Sequence, residues 1–238
     1  MGIQDALDSV LELNYSAWLP QDKNAVILDL GCGDGRMLRF LSSKGYLDIR
    51  GVDRDPVALG LIGQLEGVTV ECTEVGLEYF RRQQGKFKVI ILKQMIYYVD
   101  RSEIMFFMSA LKDALTDDGV IVVEFFNAAL LSSRLTELKD PFIRTAYTEH
   151  SIRRLFAATG LHVLHIGGER RNRNGEFRSH LYAALRACWI SVLKVIYILE
   201  RGMDNELPRI YTKSIIAVAS NHLDSQRHPV DVSKGPCR

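Results

Sequence analysis

Cysteine is scarce in this chain: four residues in 238, at positions 32, 72, 188 and 237, with no C-x-x-C pair. That spacing writes neither a zinc ligand set nor a disulfide ladder, so no metal is expected. Reduced thiols in a cytoplasmic compartment are the simple reading. Neither sign of charge dominates. Thirty Lys and Arg face 29 Asp and Glu, a formal net charge of +1. A chain so balanced is not a dedicated nucleic-acid binder by bulk electrostatics. Met1-Gly2-Ile3-Gln4-Asp5 lacks the basic and apolar regions of a secretory signal. Ala6 stands where a myristoylation pattern needs Ser or Thr. What remains is an ordinary globular balance, 47% hydrophobic and 25% charged, long enough for a full core without staples.

Short apolar runs alternate with helical segments. Strands are expected at 25–30, 48–53, 68–72, 87–92, 120–125, 162–166 and 213–219. Helices are expected at 5–19, 36–44, 56–63, 78–84, 102–115 and 148–159. Asp117-Asp118-Gly119 reads as a turn. Five strand–helix alternations predict an α/β fold with a doubly wound, mostly parallel sheet and right-handed crossovers. Residues 1–220 form the expected domain. Residues 167–212 are a helical insertion between strands six and seven, and 221–238 a polar, disordered tail.

The most specific signal is Val26-Ile27-Leu28-Asp29-Leu30-Gly31-Cys32-Gly33-Asp34-Gly35, between a strand and a helix. Glycines at 31, 33 and 35 let a ligand approach the backbone where a Cβ would clash. Arg36 occupies the third glycine position of a dinucleotide fingerprint, which damages the pyrophosphate reading. Asp29, at the start of the turn, would repel a phosphate and suits a cationic amine. Asp53 ends the next strand, where a carboxylate can accept two ribose hydroxyls. One acid for an ammonium and one for a ribose describe S-adenosylmethionine better than a nicotinamide dinucleotide.

These residues resemble the class I S-adenosylmethionine-dependent methyltransferases over roughly 24–220. Supporting motifs are Gly51-Val52-Asp53, Phe87-Lys88-Val89-Ile90-Ile91 and Leu115-Thr116-Asp117-Asp118-Gly119. The resemblance implies a seven-stranded Rossmann-like sheet whose last strand is antiparallel. It implies that Asp29, Gly31, Cys32, Gly33 and Gly35 hold the methionine end of S-adenosylmethionine and Asp53 its ribose. Arg54, Gln94 and an acid after strand three, Glu71 or Glu74, complete the donor set. A narrower resemblance rests on Phe126-Asn127-Ala128-Ala129, Asp140, Tyr147-Thr148-Glu149-His150-Ser151, Thr159-Gly160-Leu161, 189–202 and 211–219. It points to methyltransferases of bacterial surface-polysaccharide synthesis, hence to a small-molecule or glycan acceptor methylated on oxygen.

Three positions depart from that pattern. Lys88 replaces an Asp, Gln94-Met95-Ile96-Tyr97-Tyr98 replaces an acid-x-x-Glu-His run, and Ile143 stands where a His is usual. A hydroxyl acceptor benefits from a general base, worth ~10²–10⁴-fold, so the base must lie elsewhere. His150, Glu124 and Tyr98, with its neighbour Tyr97, are the candidates near strand ends. Each has a structural alternative: a helix-start histidine, a paired buried acid, a pocket wall. The insertion carries a basic loop at 168–178, with one aromatic (Phe177) and no nucleic-acid reader motif. A large apolar helix follows at 181–200. Arg186 and Lys194 interrupt its apolar run, too short for a membrane span of ~20 residues. It reads as packed on the domain, as a homodimer face, or as an interfacial helix making peripheral membrane contact for a lipid-linked acceptor. The rival functions are a catalytically impaired S-adenosylmethionine-binding protein, a nicotinamide oxidoreductase, and a non-enzymatic interaction module built on 181–200.

Overall fold

In a computed structural model, which describes residues 3–74, 77–171, 177–202 and 207–222, the alternating runs form one seven-stranded sheet with helices on both faces. Along the chain come α1 (Ile3–Tyr15), β1 (Ile27–Leu30), α2 (Arg36–Ser43), β2 (Ile49–Asp53), α3 (Pro56–Leu59) and β3 (Val68–Cys72). Then follow α4 (Leu77–Arg81), β4 (Phe87–Lys93), α5 (Ile104–Ala114), β5 (Leu115–Phe126), α6 (Ser133–Lys139) and α7 (Glu149–Ala158). β6 (His162–Gly168), α8 (Phe177–Arg201) and β7 (Ser214–Ser220) complete it. The strand order is β3-β2-β1-β4-β5-β7-β6. β7 runs antiparallel to both its neighbours, as the resemblance implied, and the other pairings are parallel.

The two-residue period of a strand divides the core. Leu28, Leu30, Ile90, Leu92, Ile121 and Val123 meet Phe107, Met108, Leu111 and Phe156 of α5 and α7. The intervening residues Ile27, Val89, Ile91, Val120 and Val122 meet Leu11 and Tyr15 of α1 and Leu38 and Leu41 of α2. Both faces are covered, which is why these strands read as unbroken apolar runs.

Local signals set most boundaries. Asp55 caps α3 by accepting from Val57 and Ala58 N–H groups. Thr148 and Ser151 form a reciprocal capping box on α7. Ser102 does not cap α5: Asp100 accepts from the Ser102 N–H and O–H, and the helix starts at Ile104. The expected turn at 117–119 lies inside β5 instead, as an irregularity between the Phe87↔Leu115 and Val89↔Val120 pairings. Lys88, on the facing strand, donates to Asp118 of that irregularity. The first helix ends at Tyr15 and passes into a 3-10 turn at Ser16–Trp18. α6 was unread in the sequence. The tail beyond residue 222 and loop residues 172–176 lie outside the described residues.

Candidate active site

The sheet changes its winding direction between β1 and β4, and ligand crevices open at the carboxyl ends of strands at such a point. The glycine turn stands there. Gly31 and Cys32 donate their N–H groups to the Val52 carbonyl at 2.8 and 3.1 Å, and Gly33 donates to Asp53 Oδ2 at 2.8 Å. The turn is thereby tied to the end of β2. Gly31 has φ +75°, and a Cβ on it would lie 2.6 Å from Met95 Cγ. Gly33 has φ +51° and open space where a side chain would stand. The one position is shut against the next loop. The other leaves bare backbone exposed to a ligand.

Asp29 lies beneath this turn and is 1% exposed. Its Oδ1 has no hydrogen-bond partner among the described residues. Burial raises its pKa from the ordinary carboxylate range to about 7; nearby Lys93 pulls it down and Asp53 pushes it further up. An unsatisfied buried carboxylate costs free energy unless a donor or cation arrives. Asp53 has Oδ2 on Gly33 and Oδ1 on the Asp55 N–H at 2.9 Å. Each oxygen keeps a lone pair for a further hydroxyl. Cys32 is buried, and burial pushes its thiol pKa well up, so it serves through its backbone rather than as a thiolate. Arg54 is exposed at the mouth, where its charge reaches Tyr98. Glu74 is exposed next to Thr73, whose N–H bonds the Asp53 carbonyl at 3.1 Å; Glu71 lies in β3 opposite Val52.

The candidate bases separate by environment. Glu124 is 4% exposed and both its oxygens are engaged. Tyr15 O–H donates to Oε2 at 2.9 Å and Gln94 Nε2 donates to Oε1 at 3.0 Å. It is the paired buried acid of its two readings. Gln94 has φ +56°, a strained value for a non-glycine residue at the strand end facing the crevice. Tyr98 donates to Asp140 at 2.8 Å, and burial together with that bond raises its pKa. A phenol moved in that direction is a poor base at neutral pH. The Tyr97 ring stacks on Phe126 at 4.0 Å, forming a wall.

His150 stands in the first turn of α7 and lines a cleft of about 390 Å³. The cleft opens at the same sheet edge as the glycine turn. Asn127, Tyr197 and the arginines 153, 201 and 209 are also in its lining. Tyr197 of α8 donates to the Ala129 carbonyl at 2.5 Å, and Asn127 Nδ2 donates to the carbonyls of Ile210 and Thr212 at 2.8 and 2.9 Å. The insertion is therefore fastened to the end of β5.

A family model described as a methyltransferase domain matches residues 4–166, more than half of the chain. The chain belongs to the methyltransferase-domain family. Solved structures agree in fold. An S-adenosylmethionine-dependent methyltransferase from Archaeoglobus fulgidus has a TM-score of 0.64 at 16% identity, over 92% of this chain and 95% of its own. One from Mesorhizobium loti has a TM-score of 0.61 at 15% identity, over 91% and 99%. Magnesium protoporphyrin IX methyltransferase from Synechocystis, bound to S-adenosylhomocysteine, has 0.55 at 17%, over 91% and 82%. No curated protein matches the sequence.

The methyltransferase uses S-adenosylmethionine as its donor. Its own residues fit that molecule: an unpartnered buried carboxylate for the ammonium, bare glycine backbone, and an acid with free lone pairs for the ribose. Sequence reasoning missed Lys93, Met95 and Tyr15. Neither Lys93 nor Tyr15 carries a role in the sequence reading, and Met95 appears there only within the run Gln94-Met95-Ile96-Tyr97-Tyr98. Nothing in their local sequence announces the long-range partners Asp29, Gly31 and Glu124.

Proposed function

We propose that the methyltransferase methylates a hydroxyl of a small-molecule or glycan acceptor, in surface-polysaccharide synthesis or a related route. The reading rests on the cleft past the carboxyl end of β5, lined by His150, on the sheet edge that also carries the glycine turn after β1. The donor supplies an electrophilic methyl group on a cationic sulfur. Asp29 and Asp53 hold and orient it, and alignment is the largest part of such catalysis. His150 would accept the hydroxyl proton as the O–C bond forms and the methyl–sulfur bond breaks, with S-adenosylhomocysteine as the leaving group.

Calorimetric titration with S-adenosylhomocysteine, with NADH alongside, tests the donor half. Micromolar binding and silent NADH are expected, and Asp53→Ala weakens binding by ~1–3 kcal/mol. Transfer of labelled methyl to an acceptor panel tests the other half. His150→Ala lowers turnover by ~10²–10⁴-fold at unchanged S-adenosylhomocysteine affinity. Donor binding with no transfer to any acceptor overturns the reading in favour of an impaired enzyme.

The same reading places the protein in the cytoplasm, touching membrane through α8. Leu181–Arg201 is long and apolar enough to cross a membrane, with a mean hydropathy of 1.6, longer than the interrupted run in the sequence suggested. Arg186, Leu193 and Tyr197 dock its one face: Arg186 donates to the Tyr211 carbonyl at 2.9 Å and Leu193 is buried. Leu185, Trp189, Val192 and Leu199 are exposed. A docked helix with an open apolar face suits an interfacial position rather than a span. In a Trp18→Phe variant, Trp189 fluorescence shifts to the blue on adding anionic vesicles. An unmoved spectrum, or a concentration-dependent dimer without vesicle binding, counts against membrane contact.

A further inference from the structure

The cleft beside His150 has a charge pattern unlike the chain as a whole. The chain is balanced to within one charge. Among the described lining residues stand three arginines and a single carboxylate, Glu149, which Arg153 contacts at 3.1 Å. The arginines come from separate parts of the chain: Arg153 from α7, Arg201 from the last turn of α8 and Arg209 from the segment before β7. Their meeting is a product of the fold and not of a basic run. All three are arginine. The guanidinium presents a planar fork of donors that matches the paired oxygens of a phosphate or carboxylate. Ala128, Ile210 and Ile215 give the same cleft an apolar part. A ligand that fits has an anionic group and an uncharged body.

We propose that this cleft holds its acceptor through an anionic group, a phosphate or carboxylate, gripped by Arg153, Arg201 and Arg209. The proposal rests on the reading that the cleft is the acceptor site, and it names the acceptor class: a phosphorylated or acidic glycan or small molecule, not a neutral one. With the anion fixed among the arginines, a hydroxyl on the ligand body is left to face His150. Specificity then comes from the charge. A neutral analogue forgoes the guanidinium contacts and binds weakly.

The test uses the full chain saturated with S-adenosylhomocysteine, titrated with glucose 1-phosphate, glucuronate and glucose. A parallel arm measures flotation with vesicles containing phosphatidate. Saturable binding of either anionic sugar and none of glucose is expected from a soluble source of the anion. Binding confined to phosphatidate vesicles identifies a lipid headgroup as the source. In either arm, Arg201→Gln/Arg209→Gln weakens binding by ~10-fold or more while S-adenosylhomocysteine affinity stays unchanged. Binding that persists undiminished in the double variant overturns the proposal, as does the absence of binding to any of the anions. Because no turnover is read, failure here is distinct from failure of methyl transfer. Glucose binding as tight as that of its phosphate would keep the cleft as acceptor site and remove the anion.

Discussion

Asp29→Asn melts at a higher temperature than the wild-type apo protein at pH 8, and no longer binds S-adenosylhomocysteine with measurable affinity. The two effects share one cause. The Asp29 carboxyl is almost fully buried, has an oxygen without a hydrogen-bond partner among the described residues, and carries a pKa raised by burial to about 7. A carboxylic acid with a raised folded-state pKa binds its proton more tightly folded than unfolded. Apo stability from this group is therefore full at low pH and lost as pH rises from ~4 to ~7. Each tenfold of proton affinity is worth about 1.4 kcal/mol, so the penalty at pH 8 is on the order of 4 kcal/mol. The amide keeps the shape and removes the charge. Differential scanning at pH 5 and pH 8 checks this: the variant gains at both, and at pH 5 by less than half of its gain at pH 8. Equal melting temperatures at both pH values would show that the carboxyl is not strained in the apo protein.

The same group sets the pH dependence of donor binding. On the proposed assignment of Asp29 to the donor's ammonium, binding needs the carboxyl ionised. Affinity for S-adenosylhomocysteine is therefore flat above pH ~7 and falls by up to tenfold for each pH unit below it. Wild-type calorimetry at pH 6, 7 and 8 reads this slope. The stability surrendered in the apo protein is recovered when a cation arrives, which is the usual bargain of a preorganised charged site.

Gly31→Ala is the second large effect. The residue has φ +75°, which costs ~1–2 kcal/mol for any residue with a Cβ. The added Cβ also lies 2.6 Å from Met95 Cγ and 2.9 Å from Met95 Cβ. Met95 begins the short 3-10 turn Ile96–Tyr98, and the Tyr98 N–H bonds its carbonyl at 3.0 Å. Pushing Met95 away disturbs the wall carrying Tyr97 and Tyr98. Urea denaturation shows a loss of ~2–4 kcal/mol, and donor affinity falls at least tenfold. Gly31→Ala/Met95→Ala recovers part of the stability, because the Cγ clash is gone while the 2.9 Å approach to the Cβ and the backbone strain stay. Large recovery would assign most of the cost to the Cγ clash; none would assign it to the backbone and the remaining Cβ contact.

Gly33 shows why the glycines of one motif are not equivalent. Nothing approaches its missing side chain. Its role is exposure of backbone, whereas that of Gly31 is close packing.

The parallel strands were legible as apolar runs because both sheet faces are covered. The helix starts at Asp55 and Thr148 were legible because capping is local chemistry. The 117–119 turn was misread because its turn residues sit in an irregularity of β5, held by the partner strand and Lys88. The sequence shows Glu124 only as an acid in an apolar strand. Whether it is paired depends on Tyr15 and Gln94, 109 and 30 residues away.

By itself, then, the sequence determined the alternating architecture and the glycine turn. Both arise from neighbours along the chain: a two-residue strand period, glycine spacing, and an acid at each of two strand ends. Folding alone set the protonation of Asp29 and the lock between Gly31 and Met95. It also brought the arginines 153, 201 and 209 into one cleft with His150. Those depend on burial and on contacts across tens of residues, where the local chain carries no record of which group will stand opposite.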